Sequence, residues 1–188
     1  DPTGQLCQGR QERRVQPASV LAQALRGTPH QQEAGVNDCL YGGAVCDRLR
    51  GIKPKYCDVA TNARPEEVKR LFRRAFIIGK RFQIVHVMFG QDLLEVTTFR
   101  GAGDANAIKD EHGRVLRDNN FGAQHEDAMR RDFTINAMYY DPATQIVLDY
   151  HGGIADIRDK TLRIIGVPEA RYREDPVRML RVVRFAAK

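Results

Sequence analysis

The pattern of hydrophobic and polar residues predicts a strand, a tight turn and a helix soon after residue 38. Apolar residues from Leu40 to Leu49 are interrupted by Gly42-Gly43, and those that follow the glycine pair recur at helical spacing. The next apolar run, Tyr56 to Thr61, predicts a second strand that contains Asp58. Residues 1 to 37 are rich in Gln, Arg, Gly and Pro and lack such a pattern, so we expect a poorly packed leader there.

The middle of the chain predicts a helix followed by antiparallel strands. The helix starts at Pro65. We expect its apolar face to lie in the core, with the residues Val68, Leu71, Phe72, Ala75 and Phe76. Three segments rich in β-branched and aromatic residues come next and predict two or three antiparallel strands. They are Phe76 to Ile78, Phe82 to Phe89 and Leu93 to Phe99.

Between residues 101 and 166 the pattern is weaker and predicts a loop, a helix and a strand pair. Gly101 to Asn120 shows no periodicity, so we expect a long flexible loop. A helix is predicted from Glu126, with one face formed by Met129, Phe133 and Ala137. Ile146 to Tyr150 and Thr161 to Ile165 predict a strand pair around a short helix at Ile154 to Arg158.

The last predicted helix is amphipathic and opens at Asp175-Pro176, an N-cap followed by a proline in the first turn. One face is apolar, with Leu180, Val183 and Ala187, and the opposite face is basic, with Arg178, Arg181, Arg184 and Lys188. A basic stripe is usually the solvated side of a helix, and facing a nucleotide is the alternative. The helix continues to Lys188 without a C-cap signal, so we expect the chain to stop short of a domain end.

Composition narrows the partners and the location. With 188 residues, 42% hydrophobic and 29% charged, the chain is long enough to bury a core, and no segment is apolar enough for a membrane span or a signal peptide. We therefore expect a cytoplasmic protein. The net charge of +6 favours an anionic partner such as a nucleotide or RNA. The four cysteines form no Cys-x-x-Cys pair, so we expect reduced thiols and no zinc site.

The residues themselves point to phosphate chemistry. Backbone N–H groups at a turn such as Gly42-Gly43 can bind a phosphate, and a strand carboxylate such as Asp58 beside it can bind Mg²⁺. Glu95 stands beside Asp58 if their strands are neighbours, although a solvated carboxylate is the more frequent situation. Arg130, Arg131 and Asp132, followed by Asn136, offer two phosphate-binding forks and a carboxylate acceptor, with a surface ion pair as the alternative.

Four motifs, in this order, resemble the class II nucleotidyltransferases, which comprise bacterial poly(A) polymerases and CCA-adding tRNA nucleotidyltransferases. They are GGAVCD (Gly42 to Asp47), YCDVATNA (Tyr56 to Ala63), RRDFTINAM (Arg130 to Met138) and REDPVRMLRVVRFAAK (Arg173 to Lys188). Two further stretches favour the poly(A) polymerase branch over the CCA branch. These are GKRFQIVHVMFG (Gly79 to Gly90) and DEHGRVLRDNNFG (Asp110 to Gly122).

The resemblance implies an α+β fold of the polymerase-β type. We expect a nucleotidyltransferase head over residues 38–166, with a mixed, mostly antiparallel sheet and flanking helices. Residues 167–188 would begin a truncated helical neck. The implied reaction is template-independent transfer of AMP from ATP to an RNA 3′ end. CCA addition is one alternative, and a disabled relative that still binds nucleotide or RNA is another; the oligomeric state stays open.

The resemblance also implies roles for individual residues. Asp58 and Glu95 would bind Mg²⁺ or Mn²⁺, and Asp132 would join them as a catalytic carboxylate. The residues expected to bind the nucleoside triphosphate are Gly42, Gly43, Asp47, Arg131, Asp132, Asp175, Arg178 and Arg181. Asp132 would lie near the ribose, and Asp175 and Arg178 would read the base edge, with Arg181 beside them.

Two residues depart from the family pattern. Where the family has Asp-x-Asp, this chain has Tyr56-Cys57-Asp58, so a phenol replaces the first metal ligand. Cys46 stands where the glycine motif has arginine, which removes a phosphate or structural ion contact. Both departures predict impaired activity: Tyr56 because a catalytic metal held by fewer carboxylates binds weakly, and Cys46 because that contact is lost.

Overall fold

The computed structural model describes residues 39–52, 54, 58–79, 82–89, 92–101, 108–109, 115–117, 120–141 and 144–187. Its strands are β1 (Cys39–Tyr41), β2 (Asp58–Thr61), β3 (Ala75–Ile78), β4 (Ile84–Phe89), β5 (Asp92–Thr98), β6 (Ile108–Lys109), β7 (Val115–Arg117), β8 (Met138–Asp141) and β9 (Ile146–Asp149). Its α-helices are α1 (Gly43–Leu49), α2 (Pro65–Leu71), α3 (Gln124–Arg130), α4 (Gly153–Arg158), α5 (Pro168–Glu174) and α6 (Val177–Ala186). A 3₁₀ turn spans Thr134–Asn136. The predicted leader at 1 to 37 lies outside the described residues.

One mixed, mostly antiparallel sheet organises the fold and confirms the predicted α+β class. Its seven strands run in the order β3-β4-β5-β2-β1-β8-β9. Only β2 and β5 pair in parallel, with Val59 opposite Val96, and the other neighbours are antiparallel. The predicted hairpin strands before residue 100 are therefore correct. Within the described residues, no helix is long and apolar enough to cross a bilayer.

Alternating side chains of the central strands build two cores on opposite faces of the sheet. The larger core packs α1 and α2 against the sheet and contains Leu40, Val45, Cys46, Val59, Val68, Val85, Val87, Val96 and Met138. The smaller core packs α3 against the other face and contains Cys39, Ala60, Phe99, Ala128 and Tyr139. Cys39 and Cys46 are buried, and neither forms a disulfide within the described residues. The other two cysteines lie outside the described residues.

The helix that begins at Pro65 is shorter than its apolar repeat predicts. α2 ends at Leu71, and Phe72 already has an extended backbone with φ −120° and ψ 121°. Val68 is buried, but Leu71 is 46% exposed and Phe76, on the edge strand β3, is 59% exposed. The predicted core face is thus wrong at both residues: the helical spacing ran past the helix end into a strand at Phe76, and Leu71 is the last residue of the helix.

The segment around Arg131 is a turn rather than a continuous helix. α3 ends at Arg130, and Arg131 has an extended backbone with ψ 164°. The Asp132 carboxylate accepts a hydrogen bond from the backbone N–H of Phe133 at 2.9 Å, which favours a break in the helix at this point. Phe133 and Ala137 are buried as predicted, whereas Met129 is 54% exposed.

Two other predictions between residues 101 and 166 are corrected. The expected loop at 101 to 120 contains the small β6–β7 sheet, whose strands of two and three residues are too short to give a periodic signal. β9 pairs with β8 rather than with residues 161 to 165, where only Ile164 forms a bridge, to Phe133. The predicted short helix corresponds to α4, which begins at Gly153.

The C-terminal helices differ from expectation in number and in orientation. α5 was not predicted, and α6 starts at Val177 with Pro176 rather than Asp175 as its N-cap residue. Leu180 and Val183 on the apolar face of α6 are 72% and 68% exposed, whereas Arg178 is buried. Arg178 and Arg181 on the basic face of α6 therefore turn towards the head, and the expectation of a solvated basic face is wrong for these two residues, whereas Arg184 is exposed.

Candidate functional site

One cleft of about 910 Å³ gathers the residues that the sequence singles out. It lies between the sheet, the turn after β1, the turn after α3 and the basic face of α6. The predicted site residues that line it are Gly42, Gly43, Asp47, Asp58, Arg131, Asp132, Asp175, Arg178 and Arg181. Glu95 lies next to Asp58 on the neighbouring strand β5. Tyr56 is outside the described residues.

The glycine pair forms a turn that only glycine adopts easily. Gly42 has φ 67° and ψ −132°, a conformation in which an L side chain is strained. Its N–H donates to the carbonyl oxygen of Met138 at 3.3 Å, and its own carbonyl accepts from Val45 and Cys46 at 3.1 Å each. At Gly43 an added Cβ would meet nothing within 4 Å, so the surface of this turn is open. The Cys46 side chain, in contrast, points into the larger core.

Asp58 and Glu95 form a carboxylate pair on the parallel strands β2 and β5. Burial, and then the nearby Glu95 carboxylate, raise the pKa of Asp58 to about 6, although Arg131 opposes the shift. Glu95 is opposite His86 on β4, and its Oε1 lies 3.4 Å from His86 Nε2. Two crowded carboxylates of this kind favour a cation, which would relieve their repulsion.

Asp58 and Glu95 provide enough ligands for one hard cation, but not for two cations bound by protein side chains alone. Mg²⁺ prefers carboxylate oxygens, and it commonly uses one or two of them together with water and substrate phosphates. Asp58 and Glu95 match that requirement. Among the described residues, no group of three or more His, Cys, Asp or Glu side chains is arranged to hold a metal ion.

Arg131 is held by a buried network that the sequence did not reveal. Its Nη2 and Nε donate to Asp127 Oδ2 at 2.6 and 3.1 Å, and Nε also donates to the Tyr139 hydroxyl at 2.9 Å. That hydroxyl donates to the same Asp127 oxygen at 2.7 Å, and the Arg131 guanidinium lies 4.0 Å from the centroid of the Tyr41 ring. We call Asp127, Arg131, Tyr139 and Tyr41 the Asp127 network.

The charges in the Asp127 network stabilise one another. Burial opposes ionisation of Asp127, but Arg131 and the Tyr139 hydroxyl outweigh it and hold the pKa of that carboxyl below its usual range. Burial likewise raises the pKa of Tyr139, so its hydroxyl stays protonated and can donate. The spacing of Asp127 and Arg131 by four residues at the end of α3 was the one signal in the sequence for this network.

Asp132 connects the turn after α3 to the last helix. Its Oδ1 accepts from Phe133 N and from Asn136 Nδ2 at 2.9 and 3.3 Å, and its Oδ2 accepts a short hydrogen bond from Arg181 Nε. Asp132 is only 8% exposed. Arg181 thus compensates the charge of Asp132 at the cleft wall.

Arg171 and Glu174 on α5 were missed by sequence reasoning. Glu174 Oε2 accepts from Arg171 Nη1 and Arg178 Nη1 at 2.6 and 2.9 Å. Arg171 Nη2 also donates to the carbonyl oxygens of Arg130 and Arg131 at 2.7 and 2.8 Å, and thereby fixes α5 against the end of α3. The i+3 and i+4 spacing around Glu174 was visible in the sequence, but the long-range contact was not.

The chain is similar to known nucleotidyltransferases. Residues 39–163 match the family model described as the poly A polymerase head domain. Over 185 residues the chain is 49% identical to Poly(A) polymerase I of Escherichia coli O6:H1. The aligned region covers 95% of this chain and 40% of that protein. It is 40% identical over 169 residues to the CCA-adding enzyme of Bacillus velezensis, covering 89% of this chain and 41% of the relative.

A solved structure is similar as well. The CCA-adding enzyme of Bacillus stearothermophilus, solved in complex with CTP, superposes with a TM-score of 0.75 and 32% identity over 94% of this chain and 40% of that chain. The chain spans about 40% of the length of the relatives that it matches.

Proposed function

Because the chain belongs to the poly(A) polymerase head domain family, we propose that it carries the transfer centre of an enzyme that adds AMP from ATP to an RNA 3′ end. The observation that carries this proposal is the cleft that joins Asp58, the Gly42 turn and the basic face of α6, with Glu95 close enough to Asp58 to raise its pKa. The higher identity to Poly(A) polymerase I than to the CCA-adding relatives supports ATP as the substrate.

Asp58 and Glu95 would hold the divalent cation, Mg²⁺ or Mn²⁺. When bound, the cation supplies positive charge that stabilises the transferring phosphoryl group and favours the ionised RNA hydroxyl. Asp58 needs to be ionised to bind it, and its pKa of about 6 leaves it ionised at neutral pH.

The remaining residues would bind and orient the nucleotide. The Gly42 N–H is already bonded to Met138, so the backbone N–H of Gly43 would donate to the triphosphate, with Asp47 on the same short helix. Asp132 accepts from the ribose hydroxyls, and its contact with Arg181 holds that arginine at the cleft wall. Asp175 and Arg178 read the base edge, and Glu174 fixes the Arg178 guanidinium for that role.

Arg131 contributes charge to the cleft floor. Asp127 and Tyr139 orient its guanidinium, and its positive charge lowers the repulsion felt by Asp58. We also propose a cytoplasmic location, in keeping with the reduced thiols expected from the sequence.

The test is transfer of AMP to a labelled RNA primer by this chain, compared with its Asp58→Asn and Asp132→Asn variants. We expect AMP addition in Mg²⁺ or Mn²⁺ and a loss of about 100-fold or more in each variant, since Asp58→Asn removes a cation ligand and Asp132→Asn removes the charge that binds the ribose and holds Arg181. Arg163→Lys, on an exposed guanidinium outside the cleft, is the control and should retain the rate. Equal rates for Asp58→Asn and the parent chain would contradict the proposal.

A second candidate function rests on Tyr56 and Cys46, which replace an acidic and a basic residue of the family motifs. A disabled relative would bind nucleotide and RNA without transfer. Restoring the acid by Tyr56→Asp separates the two candidates. A large gain of AMP addition supports an impaired transfer centre, whereas binding without transfer in both forms supports the disabled relative.

A further inference from the structure

The cleft contains two stacks of an arginine on an aromatic ring, and the same carboxylate holds both. Arg131 lies over Tyr41, as described above. Arg100 lies over Phe82, with its Cζ 4.2 Å from the ring centroid. Asp127 Oδ2 binds the Arg131 side chain, and Asp127 Oδ1 accepts from the backbone N–H of Arg100 at 3.2 Å. Both stacks line the cleft.

The order of the strands places the two stacks on different sides of Asp58. β2, which carries Asp58, has β1 and β8 on one side and β5 and β4 on the other. The Gly42 turn follows β1, and the turn that contains Asp132 precedes β8. Arg100 follows β5, and Phe82 precedes β4. The Phe82–Arg100 stack therefore lies across β2 from the Gly42 turn and the Asp132 turn.

An in-line transfer at Asp58 separates its two substrates. In an in-line displacement the attacking hydroxyl and the leaving phosphate lie on opposite sides of the reacting phosphorus atom. With the triphosphate on the β1 side, the RNA approaches from the β5 side. Resting on the proposed function, we infer that Phe82 and Arg100 form a binding surface for single-stranded RNA near its 3′ end.

The chemistry of this surface fits single-stranded RNA. Aromatic rings and guanidinium planes stack with unpaired bases of any sequence, and the arginine charge also binds the phosphate backbone. In the parallel pair β2–β5, Val59 is opposite Val96, which places Glu95 level with Asp58. Arg100 lies five residues after Glu95. At about 3.3 Å per residue this separation is roughly 16 Å, so the surface contacts a nucleotide upstream of the terminal one.

The backbone under the surface is fixed by several contacts. Arg100 forms a β-bridge with Phe121, and the N–H of Gly101 donates to the carbonyl oxygen of Asn120 at 2.9 Å. Arg130 Nη1 donates to the carbonyl oxygen of Gly101 at 2.6 Å. The position of Arg100 is thus set before RNA binds, which lowers the ordering cost of recognition.

The test measures RNA affinity directly, by fluorescence anisotropy of a labelled 12-nucleotide oligoadenylate without divalent cation. Phe82→Ala should weaken binding about ten-fold, in the range of one lost base–aromatic stack. Arg100→Lys, which keeps the charge, should weaken it by a smaller factor, and Phe82→Tyr should restore parent affinity. Phe76→Ala, an exposed aromatic on the edge strand β3, and Arg163→Lys are the matched controls and should bind like the parent chain.

The steady-state constants provide the second readout. In primer extension, Phe82→Ala should raise KM for RNA and leave KM for ATP within two-fold. Unchanged RNA affinity in Phe82→Ala, or a rise confined to KM for ATP, would overturn the inference. Because anisotropy needs no turnover, a chain that binds RNA through Phe82 but transfers no AMP would contradict the proposed function and leave this surface supported.

Discussion

Removing the hydroxyl of Tyr139 tests the Asp127 network most sharply. Tyr139 is fully buried, and its hydroxyl donates to Asp127 Oδ2 at 2.7 Å while it accepts from Arg131 Nε at 2.9 Å. Tyr139→Phe deletes both hydrogen bonds and keeps the ring, which packs against Phe99 with centroids 6.0 Å apart. The substitution therefore isolates the hydroxyl from the packing.

The expected cost follows from the charges involved. A buried hydrogen bond to a charged group contributes about 1.5–3 kcal/mol, but Asp127 and Arg131 keep their direct contacts with each other in the variant. We therefore expect Tyr139→Phe to lower the free energy of unfolding by about 2 kcal/mol.

The assay is urea unfolding followed by circular dichroism at pH 7, with Tyr150→Phe as the matched control. The Tyr150 hydroxyl donates to Gln124 Oε1 at 2.9 Å in an exposed position, and its ring contacts the Tyr139 ring. We expect the control to change stability by less than about 0.5 kcal/mol. Equal effects of the two substitutions would refute the claim that the Asp127 network is a strong buried interaction.

Three other predictions follow from the same structure. Gly42→Ala should cost about 1–3 kcal/mol in the free energy of unfolding because of the positive φ, and Gly43→Ala should cost less than about 0.5 kcal/mol, both measured by urea unfolding. Folding raises the pKa of Asp58 above that of the unfolded chain, so its contribution to stability is present at pH 4 and is lost as pH rises through about 6. In calorimetry, Asp58→Asn should therefore have a higher melting temperature than the parent chain at pH 7.5 and the same melting temperature at pH 4. Mg²⁺ should raise the melting temperature of the parent chain more than that of the variant. A lower melting temperature for Asp58→Asn at pH 7.5 would contradict this account. Leu180→Ala should change stability by less than about 0.5 kcal/mol, since that side chain is 72% exposed, and a loss above 2 kcal/mol would show that the apolar face of α6 is buried in solution.

Sequence patterns predicted the sheet well because its strands are rich in β-branched residues. Val85, Val87 and Val96 alternate with more exposed positions, as the period of two requires. The family motifs also indicated correctly which family the chain belongs to. Helical spacing predicted burial wrongly where the repeat ran past the end of a helix, because spacing alone does not mark that end. The repeat that includes Phe76 runs past the end of α2, and the repeat that starts at Met129 runs past the end of α3.

The orientation of α6 shows a different limit. Periodicity separated its basic and apolar faces, but it did not reveal that Asp132 binds Arg181 and that Glu174 binds Arg178 on the inner side of the helix. α5 escaped prediction because none of its residues is buried, so it carries no apolar repeat. The Asp127 network depends on contacts among α3, β8 and β1, and only the spacing of Asp127 and Arg131 was visible in the sequence.

The central claim is that the residues of this cleft transfer AMP from ATP to an RNA 3′ end, and one measurement tests it directly. The 188-residue chain, and its Tyr56→Asp form, are incubated with a labelled RNA primer, Mg²⁺ and either ATP or CTP, and the products are resolved by length. The account predicts a ladder of AMP additions, stronger in Tyr56→Asp, with little CMP incorporated. Incorporation of CMP at the rate of AMP, or no extension by either form with either nucleotide, would contradict it.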